Sequence, residues 1–188
     1  MAKDLFAKFP HIESDDLILR KIEPEDLDGL CAIYLNETIF RYIPGKVYKT
    51  RAAVSNMIGH FERDFGKRKT IFLGICLAAA PEYIVGVAEL FDYDKAVNMV
   101  TLGYRLNEDY WSQGIAAMTV RLLTDYLFNE IGINRIQAFV MPENVKSHAV
   151  LMRNGFHKEG TIRQGALWTG KGIVDLTEYS LLRNDKNA

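Results

Sequence analysis

Residues 102–117 have the sequence LGYRLNEDYWSQGIAA, which predicts a strand, a polar connection, a tight turn and the first turn of a long helix. Gly114 marks the turn, and the small side chains of Ala116 and Ala117 leave backbone N–H groups uncovered where the helix begins. The first N–H groups of a helix have no partner within it, and the helix dipole adds partial positive charge there. This turn is therefore a candidate site for a phosphate or pyrophosphate group.

The turn differs from the common nucleotide-binding loops. A P-loop has a Lys followed by Ser or Thr after its second Gly, whereas Gly114 is followed by Ile115 and Ala116. The dinucleotide-binding fingerprint has three spaced glycines, of which only Gly114 is present here. The alternative interpretation is architectural, because small residues at a tight turn also let a helix pack closely on a sheet.

Motifs downstream of the turn occur in an order that resembles a known enzyme family. Residues 136–140 are typical of a buried strand, and residues 142–156 have the sequence PENVKSHAVLMRNGF. The chain contains, in this order, the motifs Gly103-Tyr104, Tyr110-Trp111, Gly114-x-Ala116, Asn144-x-x-Ser147 and Gly155-Phe156. With these, the chain resembles the GNAT superfamily of acyl-CoA-dependent N-acyltransferases and is most similar to the branch containing the ribosomal-protein (alanine or serine) N-terminal acetyltransferases. The resemblance extends from Leu17 to about Arg183, and we expect one domain over residues 1–188.

The resemblance implies where the coenzyme binds. In this fold two strands, here those carrying Tyr104 and residues 136–140, separate and admit acetyl-CoA as co-substrate, with no metal. The pantetheine arm would bond to the backbone near Tyr104 and Leu106 like an added strand. The pyrophosphate would bind N–H groups between Ser112 and Ala117. The implied coenzyme-binding residues are Tyr104, Leu106, Trp111, Ser112, Gln113, Gly114, Ile115, Ala116, Ala117, Asn144 and Ser147.

The resemblance also implies direct attack of an amine on the thioester, which needs a base for the ammonium proton and a donor for the departing thiolate. Ser147 matches the family's serine and is the candidate catalytic donor; the alternative is a polar residue at a helix start. Asn144 can cap that helix and also bind the pantetheine amide. Tyr179 resembles a recurring family position, and the alternative is a core tyrosine.

Glu89 is the candidate catalytic base, because it lies within an apolar strand where burial disfavours a charged carboxylate. Alternation with Val85, Val87 and Phe91 predicts that it shares a face with apolar side chains. One alternative is a salt-bridged or rim carboxylate. Another is a water chain that ends at Glu89 or Asp175.

Composition bears on whether the protein binds nucleic acid, a metal ion or a membrane. The chain is 48% hydrophobic with a net charge of −1, so no basic surface indicates nucleic acid. Cys31 and Cys76 lie far apart in apolar patterns, which predicts buried thiols in a reducing compartment, and the four histidines lack metal-ligand spacing. No apolar run reaches the length of a membrane span, so we expect a cytoplasmic protein without a membrane partner.

Hydrophobic periodicity predicts a strand, two helices, three antiparallel strands, a helix, a strand, a helix and two strands. This order indicates a mixed α/β sheet, mostly antiparallel, with helices on its faces, and it matches the GNAT fold. The long helix is predicted over about residues 116–130, with apolar residues at helical spacing at Val120, Leu123, Leu127 and Ile131. The last two strands are predicted near 156–164 and 175–182. Thr50 is the predicted N-cap of the second helix.

The acceptor amine is expected between the first two helices, their connection at residues 40–46, and the last hairpin around Arg163 and Trp168. Three hypotheses stay open: a protein N-terminus, a small amine such as an amino acid, polyamine or antibiotic, and a non-catalytic acyl-CoA-binding module. An open channel would favour the first and a closed pocket the second. A homodimer is compatible with the resemblance, but no residue pattern requires one.

Overall fold

The structure is a computed structural model that describes residues 3–43, 45–168 and 170–185, so Pro44 and Thr169 of the predicted acceptor segments lie outside it. Its strands are β1 (Ile12–Glu13), β2 (Leu17–Lys21), β3 (Thr70–Leu77), β4 (Ala80–Asp94), β5 (Met99–Leu106), β6 (Arg135–Val140), β7 (His157–Trp168) and β8 (Gly172–Leu182). Its α-helices are α1 (Leu27–Tyr34), α2 (Arg51–Gly66), α3 (Ile115–Asp125) and α4 (Val145–Arg153).

The strands form one sheet in the order β1-β2-β3-β4-β5-β6-β8-β7. Neighbouring strands are antiparallel except β5 and β6, which are parallel because α3 carries the chain back between them. Buried side chains form two clusters, one including α3 and the other including α1 and α2. Consecutive strand residues alternate between the clusters, so these lie on opposite faces of the sheet. The predicted mixed α/β class is confirmed.

Strands β5 and β6 pair only at one end. Their register comprises Met99 with Arg135, Val100 with Ile136 and Thr101 with Gln137, and no pair follows. Residues 102–106 and 138–140 therefore separate, and we call the space between them the fork. At its base, Gln137 Nε2 donates to Thr101 Oγ1 at 2.9 Å. The separation of these strands that the resemblance implied is present.

Local signals account for the helices. The Thr50 side chain accepts a hydrogen bond from the Ala53 N–H at 3.2 Å, so the predicted N-cap of α2 is confirmed. The predicted apolar face of the long helix is buried as well, and its members are Val120, Leu123, Leu127 and Ile131. The predicted helix over 116–130 differs in geometry, because Tyr126–Ile131 forms a π-helical turn that ends at Gly132, with φ of +83°.

A β-bulge corrects the face predicted for β4. Ile75 pairs with Gly86 and Cys76 pairs with Ile84, so Val85 is an extra residue in β4. Val85 packs in the cluster with α3, whereas Val87 packs in the cluster with α1 and α2. The prediction that Val85 shares a face with Val87 and Glu89 is therefore wrong, because one inserted residue reverses the alternation.

The last hairpin also differs from its prediction. Strand β7 continues to Trp168 and β8 already begins at Gly172, so both are longer than predicted. Their pairing shifts register between Lys158 and Gly160 and again between Ile162 and Ala166. There Gln164 has φ of +53°, and its N–H donates to Asp175 Oδ1 at 2.7 Å. Asp175 thus supports a bulge on the hairpin, and this contact gives no support to a water chain ending at its carboxylate.

The two cysteines occupy different environments. Cys76 is buried as predicted, but Cys31 is only half-buried. The buried stripe of α1 contains Leu30, Ile33 and Tyr34. Cys31 follows Leu30 by one residue and so lies at the edge of that stripe. The burial predicted for Cys31 from the apolar pattern was therefore too high.

Candidate active site

The backbone of β5 directs hydrogen-bonding groups into the fork. Just past the strand, the Asn107 N–H donates to the Val85 carbonyl of β4 at 2.9 Å. Successive strand residues direct their backbone groups to opposite sides, so those of Tyr104 and Leu106 point away from β4 and into the fork. The Leu106 carbonyl also accepts from Trp111 Nε1 at 3.0 Å, so Trp111 supports the end of the strand.

The turn before α3 leaves several N–H groups free. Ser112 and Gly114 have φ of +61° and +83°, so the chain enters the helix through left-handed conformations. The Met118 N–H bonds to the Gly114 carbonyl at 3.0 Å, and no side chain of the described residues caps the N–H groups of residues 115–117. A Cβ on Gly114 would meet no atom within 4 Å. This open turn can therefore accommodate a phosphate or pyrophosphate.

Asn144 and Ser147 lie at the start of α4. The Asn144 Oδ1 atom accepts from the Ser147 N–H at 3.3 Å, so Asn144 performs the capping role. Burial raises the pKa of the Tyr104 hydroxyl to about 12, and the nearby Ser147 side chain opposes that shift. Within the described chain, this hydroxyl is buried without a partner at full hydrogen-bond geometry. The structure thus brings two hydroxyls together between β5 and α4, whereas the sequence pattern indicated a role only for the backbone of Tyr104.

His148 and Tyr179 form a polar pair that no sequence pattern indicated. His148 Nδ1 lies 2.9 Å from the Tyr179 hydroxyl, and His148 Nε2 lies 3.2 Å from the carbonyl oxygens of both Met141 and Pro142. Because carbonyls only accept, Nε2 carries a proton, and in a neutral imidazole Nδ1 then accepts from the Tyr179 hydroxyl. Tyr179 is buried on β8, so the core-tyrosine alternative is correct for its location. The pair joins α4 to β8, and no local motif links residues so far apart in sequence.

Glu89 is ion-paired on the face that carries α1 and α2. Its Oε1 lies 2.7 Å from Arg105 Nη2, and the two side chains are 16% and 7% exposed. The Arg105 guanidinium lies over the rings of Tyr34 and Phe40, at 5.4 and 5.7 Å from their centroids. The structure thus gives the salt-bridged arrangement for Glu89, and any proton that this carboxylate accepts is accepted beside a guanidinium.

Gly103 provides the space that Glu89 occupies. A Cβ on Gly103 would lie 2.8 Å from Glu89 Oε1 and 3.0 Å from Glu89 Cγ. The Glu89 side chain therefore crosses β5 at Gly103 on its way to Arg105. This gives the Gly103-Tyr104 motif a local physical reason, because a side chain here would displace the carboxylate from its position beside the fork.

An open cleft of 820 Å³ begins at this ion pair. The α1–α2 connection, where the acceptor amine is predicted, lines it through Phe40, Gly45, Lys46 and Tyr48. Its carboxylate-bearing residues are Asp64, Glu89 and Asp92, and its basic residues are Lys46, His60, Arg68, Lys69 and Arg105. Arg163 and Trp168 do not line the cleft, and Trp168 is instead packed inside the hairpin at 5% exposure.

The described residues contain neither a candidate metal site nor a helix that could span a membrane. Among the described residues, no group of three or more His, Cys, Asp or Glu side chains is arranged to hold a metal ion. None of the helices in those ranges has the length and apolar character needed to cross a membrane.

Comparisons with known proteins agree with this geometry. Residues 16–157 match a family model described as an Acetyltransferase (GNAT) domain. The uncharacterized N-acetyltransferase YoaA of Bacillus subtilis (strain 168) is 27% identical over 175 residues, covering 93% of this chain and 98% of that protein. Spermidine N(1)-acetyltransferase of Escherichia coli (strain K12) is 23% identical over 144 residues, which cover 77% of this chain and 74% of that protein. The structure of ribosomal-protein-S5-alanine acetyltransferase from Vibrio fischeri superposes with a TM-score of 0.77 at 20% sequence identity. The superposition covers 94% of this chain and 98% of that protein, so the two share the fold.

Proposed function

We propose that this chain, which belongs to the GNAT acetyltransferase family, acetylates the α-amine at the N-terminus of a protein. Family membership makes it an acetyl-CoA-dependent N-acetyltransferase, and the proposal concerns the acceptor. The observation that carries it is the open 820 Å³ cleft that leads to Glu89 beside the fork. Small-molecule sites enclose most of their ligand, whereas an open cleft admits the end of an extended chain.

The coenzyme half of the proposed site lies in the fork. Backbone groups of Tyr104 and Leu106 hydrogen-bond to the pantetheine arm like an adjacent strand, because they face the fork and lack a partner strand there. Asn144 binds the pantetheine amide in addition to capping α4. The N–H groups from Ser112 to Ala117 bind the pyrophosphate at the open turn. Acetyl-CoA supplies the activated acetyl group when it is bound.

The chemical step follows from the groups on the two sides of the fork. Glu89 accepts the ammonium proton, directly or through water, and the free amine nitrogen then attacks the thioester carbonyl carbon. A C–N bond forms, the C–S bond breaks, and the departing sulfur receives a proton from a hydroxyl. The proton that the acetylated nitrogen then loses restores this hydroxyl through solvent. Ser147 and Tyr104 are the proposed donors of the proton to the sulfur, because their hydroxyls lie together between β5 and α4.

A small polyamine is the second candidate acceptor. Besides Glu89, which is paired with Arg105, two residues that line the cleft carry carboxylates, Asp64 and Asp92, and these would contact the ammonium groups of a polyamine. The five basic residues of the same cleft oppose such a ligand. The relative named spermidine N(1)-acetyltransferase supports this alternative. The relative named ribosomal-protein-S5-alanine acetyltransferase supports the protein N-terminus. Both acceptors would be met in the cytoplasm, which is the compartment we propose.

Acetyl transfer to defined acceptors tests the choice. The protein is incubated with acetyl-CoA and a library of peptides with free N-termini, and with spermidine and free amino acids in parallel. Thiol release gives the rate, and fragment mass spectrometry locates the added acetyl group. We expect acetylation of α-amines of peptides at a higher kcat/KM than of spermidine or amino acids.

Matched peptides sharpen the result. A peptide with a blocked N-terminus and an internal lysine should remain unmodified, while the same sequence with a free N-terminus reacts. Preferential acetylation of spermidine would replace the proposal with the polyamine alternative. Preferential acetylation of the internal lysine would also contradict it, because the α-amine would then not be the acceptor.

A further inference from the structure

Lys146 lies beside the open turn without a carboxylate partner. Its Nζ is 3.4 Å from Ser112 Oγ and 5.3 Å from the centroid of the Trp111 ring. Lys146 belongs to the first turn of α4, whereas Ser112 and Trp111 belong to the turn before α3. In the part of the chain that the structure describes, no carboxylate lies within 4.0 Å of this ammonium group.

This arrangement is electrostatically unfavourable by itself. The N-terminus of a helix carries partial positive charge, so a cation in the first turn of α4 opposes the dipole of that helix. The same side chain extends to the uncapped N-terminus of α3, where the N–H groups of residues 115–117 add further positive charge. Three sources of positive charge therefore converge on Ser112, and an anion between them would turn their mutual repulsion into attraction.

The groups that the ammonium group contacts at this turn are themselves ordered by the backbone. Trp111 Nε1 is fixed by its hydrogen bond to the Leu106 carbonyl at 3.0 Å, so the ring over which Lys146 lies is itself anchored. Ser112 adopts φ of +61°, an uncommon conformation for a residue with a side chain, and it directs its hydroxyl toward Lys146. These two contacts place the exposed lysine next to the turn.

We propose that Lys146 is a ligand of the coenzyme pyrophosphate and closes the α3 turn from the side of α4. This inference rests on the proposed placement of the coenzyme in the fork and does not depend on the acceptor. Lys146 supplies a full positive charge, which complements the partial positive charges of the N–H groups of residues 115–117. The start of α4 would then hold the coenzyme at two points, through Lys146 at the pyrophosphate and through Asn144 at the pantetheine arm.

Calorimetric titration of the full chain tests this role. The Lys146→Gln variant removes the charge but keeps a side chain of similar polarity, and Lys158→Gln is the matched control, since Lys158 is an exposed lysine on β7. We expect Kd for CoA to rise about tenfold in Lys146→Gln, as for loss of one charge-assisted contact, and to stay unchanged in the control. Affinity of the Lys146→Gln variant should also depend less steeply on salt concentration.

Two truncated ligands identify the group that Lys146 contacts. Dephospho-CoA keeps the pyrophosphate and lacks the 3′-phosphate, so the tenfold difference should persist with it. Pantetheine lacks the pyrophosphate, so its binding should be equal in parent and variant. A difference confined to CoA would assign Lys146 to the 3′-phosphate and overturn the proposal, as would equal CoA affinity in parent and variant. A parent that binds CoA but acetylates no N-terminus would refute only the proposed acceptor.

Discussion

Tyr104 is the residue at which the backbone and side-chain parts of the proposed site meet. Its backbone groups face the fork, and its hydroxyl is buried beside Ser147 without a full hydrogen bond in the described chain. A buried hydroxyl without a partner destabilises a fold by about 1–3 kcal/mol. We infer that the hydroxyl has a use in the reaction, as a proton donor that stays protonated because its pKa is raised to about 12.

Replacing Tyr104 with Phe should separate stability from turnover. The variant loses a hydroxyl that has no full hydrogen bond within the described chain, so we expect the free energy of unfolding to stay equal or to rise by about 1 kcal/mol. We expect kcat to fall by about 100-fold, because a proton donor to the departing thiolate is lost, with Kd for CoA unchanged. Urea denaturation and initial rates measure the two effects. A less stable variant with the parent kcat would make Tyr104 a packing residue.

Glu89 has two roles that a single substitution cannot separate. Glu89→Gln removes the proposed base and also leaves the buried Arg105 guanidinium without its counter-charge. Breaking a buried ion pair costs about 3–5 kcal/mol, and since Glu89 is 16% exposed we expect a loss near the lower bound. Chemical denaturation measures this loss, and activity should fall below detection in initial-rate assays.

The double variant Glu89→Gln with Arg105→Met separates the roles. Removing both partners abolishes the unpaired buried charge, so most of the lost stability should return. We expect activity to stay low, because the base is still missing. Recovery of the parent kcat in the double variant would show that Glu89 only neutralises Arg105.

At the scale of elements, the start of α3 and the end of α4 offer a matched pair of glycines. Gly114 and Gly155 have φ of +83° and +80°, and a Cβ would meet no atom within 4 Å at Gly114 and only Leu181 Cδ1 at 3.6 Å at Gly155. Alanine at either position should therefore cost stability through backbone strain of about 1–2 kcal/mol. The difference between the two variants then reports on function and not on folding.

Gly114→Ala and Gly155→Ala should differ in coenzyme affinity. We expect both to melt at lower temperature by similar amounts, because the strain is similar. Only Gly114→Ala should raise Kd for CoA, since its methyl group projects into the open turn. Differential scanning calorimetry and CoA titration measure the two quantities. An equal effect of both variants on Kd would leave the turn before α3 without a special role.

Helix caps and apolar helix faces could be predicted from residues close together in the sequence. A β-bulge and a π-helical turn, which each insert one extra residue into a regular element, could not. The cap at Thr50 and the apolar face of α3 follow from side chains within a few positions of each other. The bulge at Val85 and the π-helical turn of Tyr126–Ile131 each shift the period without a distinctive residue. Predicted alternation therefore failed at Val85, although the strand itself was predicted.

The candidate site divides in the same way. The turn at Gly114 and the cap at Asn144 were predictable, because small residues and an Asn before a helix have direct backbone consequences. The Glu89–Arg105 and His148–Tyr179 contacts join strands and helices that are distant in sequence. Their partners depend on strand register and helix placement, which composition and spacing do not specify.

At the scale of the molecule, the sheet separates two tasks. The face with α3 carries the buried Tyr104 hydroxyl and Ser147, and the face with α1 and α2 carries the cleft that ends at Glu89. The fork is the place where β5 and β6 no longer pair, so it connects the two faces through the sheet. We infer that the coenzyme enters the fork from one face and the amine from the other.

A bisubstrate ligand tests this arrangement most directly. The ligand is CoA whose sulfur is joined through an acetyl bridge to the α-amine of a short peptide, and its Kd is compared with that of CoA by calorimetry. If the fork and the cleft meet as described, both halves bind together, and Kd should be at least about 100-fold lower than for CoA. The same linkage to spermidine should give a smaller gain. A peptide-linked ligand that binds no tighter than CoA itself would contradict this arrangement.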